Sequence, residues 1–295
     1  MILVTSAYGN QGKRLVPKLL RAGHRIRVCV QSEGSAERLR AIGAHEVLVG
    51  DLADRQFVER SVQGVSSIYH IGPTLHRNER DMGFMIIDAA RQAGVGHFVF
   101  SSVLHAITTD LIQHEIKRDI EEHLLSSGLE FTILQPSNYM LPLRMKSVFE
   151  EGVFRLTWSL DRYQSMVDLD DVTDVAALVL ADPGVHAAAT YELVGEGRYT
   201  AHDIGAVLSE VVGRKIAVEQ IDPEIFTRAR LANAEPGVFE HQLRTSRAIA
   251  ARYSGHDFVG NPNVLKWLLG RATTPFEDFA RKEYAAFCAN AVALE

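Results

Sequence analysis

Cysteine is almost absent from this chain. Cys29 and Cys288 are the two present, too few for a disulfide framework, so a reducing compartment is expected. Both are read as buried thiols acting as small hydrophobes. No apolar run approaches the roughly 18 residues of a membrane span, and the first β-like stretch begins at Ile2, leaving no room for a secretory leader. A cytoplasmic protein without a membrane partner is the expectation. The 12 histidines include no H-x-x-x-H pair, so no metal site is expected. Excess positive charge is missing too. With 31 basic against 37 acidic residues and a net charge of −6, the overall field would not hold nucleic acid. Nor does any lysine have a tyrosine four residues before it. That disfavours carbonyl reduction by a Tyr-x-x-x-Lys pair, in which the ammonium lowers the phenol pKa and the phenol protonates the substrate oxygen.

What is present is globular: 46% hydrophobic and 23% charged over 295 residues, enough for one large or two moderate cores. Short β-branched runs at 2–6, 25–30, 46–50, 66–71, 97–102 and 130–135 alternate with helical patterns at 12–21, 36–42, 57–62, 83–93 and 111–127. The helical patterns stop at Gly23, Gly43, Gly64, Gly94 and Gly128, where glycine can take a left-handed turn. Right-handed βαβ units in series give an α/β fold with a doubly wound parallel sheet, a Rossmann fold, and put the ligand crevice at the carboxyl ends of the strands. Segments 6–12, 31–35, 72–76 and 101–106 share that rim. Residues 1–136 are therefore expected to form a dinucleotide-binding core. Residues 137–295 would form mainly a smaller α/β substrate-binding region, with about 165–195 returning to the core. Within that second part, Asp171 is the expected N-cap of a helix stopping at Asp182-Pro183-Gly184. Thr200 with Asp203 should cap another helix, and a helical tail at 274–287 is expected to pack over the cleft.

The stretch VTSAYGNQG, 4–12, stands between the first strand and helix. A phosphate-binding turn of the form G-x-x-G-x-x-G would have glycine at 6, 9 and 12; the chain has Ser6, Gly9 and Gly12. Two glycines in a strand-loop-helix context suit an anion cradle made with Ala7, Asn10 and Gln11. Serine at position 6 is tolerable unless positive φ is needed there, in which case the turn carries about 1–2 kcal/mol of strain. Asp51 and Leu52 follow the third strand, suited to an adenine amino group and ring face; the plainer role of Asp51 is to cap the next helix. Gln31 and Ser32 end the second strand, where cofactor choice is made. Glu33 would favour NAD if it points inward, whereas Ser32 and Ser35 with Arg14 or Arg38 could hold a 2′-phosphate.

These residues, with GDLAD (50–54), HFVFSSV (97–103), IKRDIEEHLLSSGLEFTILQPSNYM (116–140) and DDVTDVAALVLADP (170–183), resemble the NmrA-like branch of the atypical short-chain dehydrogenase/reductases, which also holds isoflavone-reductase-like and quinone- or dye-reducing enzymes. The resemblance runs over nearly the whole chain. Ser6 for the first loop glycine, Gln31 for an arginine common in NADP-dependent relatives, and Gln135 for the arginine usual before the proline are the departures.

The resemblance implies NADP as cofactor, with NAD the alternative, and implies that Lys117 binds the nicotinamide ribose or acts in proton transfer. Against this stands an i,i+4 pair of Lys117 with Glu121 on a helix whose apolar stripe is Ile112, Ile116, Ile120 and Leu124. His114, one turn away, is a candidate proton donor or a solvated helix histidine. Ser101 is assigned to the cofactor, and Ser102 and His105 to the substrate; strand-end capping is the alternative for all three. Asn138, Tyr139 and Met140 are assigned to the substrate wall. The function expected is an NAD(P)H-dependent reductase passing hydride to a quinone, enone, quinone methide or dye-like small molecule. A non-catalytic NAD(P) sensor and a lyase or isomerase on a degenerate reductase scaffold are the alternatives, and a homodimer is compatible with the sequence.

Overall fold

The computed structural model describes residues 1–74, 76–231 and 236–292. The first part runs β1 (Ile2–Val4), α1 (Gly12–Arg21), β2 (Ile26–Val30), α2 (Glu33–Ala41), β3 (Glu46–Val49), α3 (Arg55–Ser61), β4 (Ser67–Ile71), α4 (Glu79–Gln92), β5 (His97–Ser101), α5 (Ile112–Leu125) and β6 (Phe131–Pro136). It continues through β7 (Asn138–Tyr139), α6 (Pro142–Glu151), β8 (Val153–Leu156), β9 (Met166–Val167), α7 (Leu169–Ala181), α8 (Pro183–His186) and β10 (Ala189–Leu193). The rest is α9 (Ala201–Val212), β11 (Ala217–Gln220), α10 (Pro223–Arg230), α11 (Pro236–Gly255), α12 (Asn263–Leu269) and α13 (Phe276–Val292).

Two compact units result: Met1–Pro136 with Leu169–Leu193, and Ser137–Asp168 with the chain after Leu193. In the first, seven parallel strands follow the order β10-β6-β5-β4-β1-β2-β3. The strand order reverses between β1 and β4, the point where a doubly wound sheet opens its crevice. Apolar side chains bury both faces, as parallel sheets require. Leu3, Ile68, Phe98 and Phe100 pack with Ile86 of α4 and Ile120 of α5, while α7 lies against β4, β5, β6 and α1.

Local chemistry explains the element ends. The five glycines read as helix stops all have left-handed backbone, with φ of 79, 95, 70, 69 and 78° at Gly23, Gly43, Gly64, Gly94 and Gly128. Thr200 and Asp203 form a reciprocal capping box on α9. Two expectations are corrected. Asp171 is buried inside α7 rather than before it, since that helix begins at Leu169. Cys288, in α13, is exposed. That helix packs against α6 and α9 of its own unit.

Within the second unit, β8 and β11 pair in parallel, as do β7 and β9. Among the described residues no helix is long and apolar enough to cross a membrane.

Candidate cofactor and active site

The loop between β1 and α1 folds around two close approaches. A Cβ on Gly12 would lie 2.3 Å from the Ala7 carbonyl oxygen, and one on Gly9 would lie 3.1 Å from that of Ser6. The first distance admits glycine alone, so the cradle shape is built into the sequence. Position 6 does need the left-handed conformation: Ser6 has φ 46°, a cost of about 1–2 kcal/mol for an L residue. Its Oγ donates to the Ile71 carbonyl at 2.9 Å, a bond of about 1 kcal/mol that offsets much of the strain. Ala7 is fully buried and Asn10 is exposed.

Gln11 is turned inward. Its Oε1 accepts from the Tyr69 hydroxyl at 2.5 Å and its Nε2 donates to Ser101 Oγ at 2.8 Å. The loop is thus tied to β4 and β5 from beneath by a side chain only 5% exposed.

Beside the loop lies a cleft of about 360 Å³ lined by Ser6, Gly9, Gln31, Ser32 and Leu52, together with Tyr8, Ser35, Gly50 and Pro73. Asp51 is not among the lining residues; its Oδ1 accepts from the Ala53 backbone, and the cap of α3 is Asp54. Of the rim segment 72–76, Leu75 lies outside the described residues. Glu33 does not face the cleft as an acceptor, because it pairs with Arg40 along α2. Ser32 caps α2, and its Oγ donates to Ser35 Oγ at 3.0 Å. Tyr8 carries two cations: Arg38 Nη1 donates to its hydroxyl at 2.8 Å, and Lys13 Nζ stands 4.2 Å from its ring centroid.

At the end of β5 sits Lys117, 5% exposed. The expected surface pair with Glu121 is not what forms. The apolar stripe Ile116, Ile120 and Leu124 turns that face of α5 into the core and takes Lys117 with it. Its Nζ lies 2.8 Å from Oε1 of the fully buried Glu79 and donates to the Ser101 carbonyl at 3.2 Å. It also stands 5.0 Å from the Phe100 ring centroid. Glu121 accepts from Ser102 Oγ, and from Gln135 Nε2 at 2.9 and 3.1 Å. Burial raises the Glu121 carboxyl above the usual range, with the Ser102 and Gln135 hydrogen bonds and the Lys117 charge working against it. Below the ammonium, His70 stacks on Phe100 with centroids 5.8 Å apart. Burial, and then repulsion by Lys117, pushes its imidazole down to about 3.

His114 is corrected from a solvated residue to a buried one, 1% exposed, its Nδ1 2.9 Å from the His105 carbonyl oxygen. His105 itself has φ 56° and lies 4.0 Å from Glu192. Asn138, Tyr139 and Met140 belong to the second unit. There Asn138 Nδ2 donates to Gln164 Oε1 at 3.0 Å, Tyr139 pairs with Val167, and Met140 is buried.

The family profile that matches residues 1–257 is that of the NmrA-like family. The chain belongs to the NmrA-like family. Among its relatives is the NAD(P)H azoreductase of Xenophilus azovorans, 27% identical over 292 residues, covering 97% of this chain and 99% of that protein. Another is quinone oxidoreductase 2 of Escherichia coli, 25% identical over 280 residues, with 93% and 95% covered. The crystal structure of the Citrobacter sp. triphenylmethane reductase complexed with NADP(H) superposes with a TM-score of 0.81 at 22% identity, covering 96% of this chain and all of that one. This last likeness is one of fold.

Sequence reasoning missed Tyr8 and Glu79. Tyr8 stands inside the glycine loop, where only its neighbours match the pattern. Glu79 lies outside the helix expected over 83–93, whereas α4 begins at Glu79 itself.

Proposed function

We propose that this protein is an NAD(P)H-dependent reductase that passes hydride to an electrophilic small molecule, a quinone, enone, quinone methide or dye-like acceptor, without a phenol acid. One observation carries the proposal: a buried ammonium, Lys117, stands at the end of β5 beside a glycine loop whose Gly12 leaves no room for a Cβ. The names of the azoreductase and quinone oxidoreductase relatives agree with it.

The amides of Ala7 and Gly9 are spent on the Cys29 and Ser6 carbonyls, so those of Tyr8 and residues 10–12, with the N-terminus of α1, would hold the pyrophosphate, a position that favours an anion. Leu52 would cover the adenine. Lys13, Arg38, Ser32 and Ser35 would take a 2′-phosphate, and the removal of Glu33 by Arg40 withdraws the acid that a free 2′-hydroxyl would use; the preferred cofactor is therefore NADPH over NADH. Lys117 would hold the nicotinamide ribose. When bound, the cofactor supplies the hydride. The protein would supply orientation through Lys117, which the buried Phe100 ring and His70 back from the core. Acceptors whose reduced form is a stabilised phenolate, enolate or amine need no dedicated acid of the tyrosine kind. Ser102 and His105 are the proposed acceptor contacts, and a cytoplasmic location goes with the nicotinamide chemistry.

The test is oxidation of NADPH and NADH by a panel of 1,4-benzoquinone, a cyclic enone, an azo dye and a triphenylmethane dye. Turnover with at least one acceptor is expected, and Lys117→Ala should lower kcat/KM on the order of a hundredfold while the melting curve stays cooperative. The proposal would be sunk if neither cofactor raised the melting temperature at millimolar concentration.

A further inference from the structure

We infer that Glu79 is a positioning residue for Lys117: its carboxylate holds the ammonium charged and aimed along the end of β5. The inference rests on the reductase reading above.

Four observations lead to it. Glu79 is fully buried and stands 2.8 Å from Lys117 Nζ. The contact is an ion pair rather than an aligned hydrogen bond, since neither Glu79 oxygen has a hydrogen-bond partner among the described residues. Among the described residues, the other titratable groups beside the pair have partners of their own or are neutral, His114 of α5 standing against the His105 carbonyl. Glu121 of α5 is held by Ser102 and Gln135. Arg80 of α4 pairs with Asp119 at 2.7 Å, and His70 of β4 is neutral. Finally, the backbone makes way for the pair. A Cβ on Gly72 would fall 2.7 Å from Glu79 Oε1 and 3.2 Å from Lys117 Nζ.

A buried pair of this kind is a weak way to stabilise a fold, because apolar side chains of similar volume often do as well. As a way to keep an ammonium charged in a dry site it is effective, since desolvation alone favours the neutral amine. Its place next to the strand end where the cofactor would lie makes the second use the apt one. Glu79 itself touches neither cofactor nor acceptor in this arrangement and acts through Lys117.

The experiment compares native protein, Glu79→Gln, Glu79→Asp and Lys117→Ala in NADPH oxidation by 1,4-benzoquinone across pH. In parallel, trace acylation of Lys117 by acetic anhydride is read by mass spectrometry. Glu79→Gln should lower kcat on the order of tenfold, with KM for NADPH changed less than about threefold. Its alkaline limb should move to lower pH, and Lys117 should acylate at lower pH. Glu79→Asp should regain part of kcat, and it carries the comparison if Glu79→Gln fails to fold. If Lys117→Ala is inactive while Glu79→Gln matches native kcat and pH profile, the inference falls and the reductase reading stands. If Lys117→Ala is fully active, Lys117 has no role to be positioned for and the inference falls. If the native protein turns over no acceptor, the reductase reading falls and acylation decides: an unchanged pH dependence in Glu79→Gln overturns the inference, a shifted one sustains it.

Discussion

The Arg38 guanidinium donates over 2.8 Å to the hydroxyl of Tyr8, a residue that lines the cleft, and so joins α2 to the glycine loop. A cation is thereby parked where the second strand ends, although Gln31 stands at the strand end itself. Arg38→Ala is expected to lower the NADPH-over-NADH preference on the order of tenfold, as loss of one charge-assisted phosphate contact should. The ratio of kcat/KM for the two cofactors checks it; an unchanged ratio would mean the preference is set elsewhere.

Ser6 separates strain from bonding. Ser6→Gly removes the left-handed cost of about 1–2 kcal/mol and also the Ile71 bond of about 1 kcal/mol, so stability in urea should change by less than about 1 kcal/mol. Ser6→Ala keeps the strain and loses the bond, and should destabilise by about 1 kcal/mol. If alanine proves as stable as serine, the Ser6–Ile71 bond contributes nothing; if alanine proves no worse than glycine, the left-handed backbone at position 6 carries no strain.

His70 fixes the acid limb of stability. Its imidazole is pushed down to about 3 by burial and by Lys117, against about 6.5 in an unfolded chain. In that window the unfolded state binds the extra proton. The stability of keeping His70 neutral is therefore complete above the unfolded value and is lost as pH falls toward the folded one. His70→Gln should flatten the unfolding free energy between about pH 6 and pH 4. A slope unchanged from the native protein would assign the acid limb to other groups.

The sheet was legible because parallel strands and their helices write local periodicity, and because the five stop glycines at positions 23, 43, 64, 94 and 128 mark ends that only a left-handed residue closes. The loop 6–12 was legible for the same reason: its shape depends on neighbours in sequence. Lys117 could be picked out, but its partner could not. Glu121 lies one helical turn away and Glu79 lies on another helix, so the choice depends on which face of α5 goes inward and on where α4 begins. The inward turn of Gln11 toward Tyr69 and Ser101 was equally hidden, since it spans residues 58 and 90 positions apart. Asn138, Tyr139 and Met140 sit where pairing with Met166 and Val167 decides their surroundings, again a long-range matter.

Ser101 makes two attachments with two different atoms. Its hydroxyl receives Gln11 from the glycine loop, and its carbonyl receives Lys117 from α5. Both ends of an extended ligand would thus be measured from one residue of the central sheet. The distance between anion cradle and ammonium behaves as a ruler cut before any ligand arrives. Little ordering remains to be done on binding, and an acceptor molecule would meet a nicotinamide ring already set to depth.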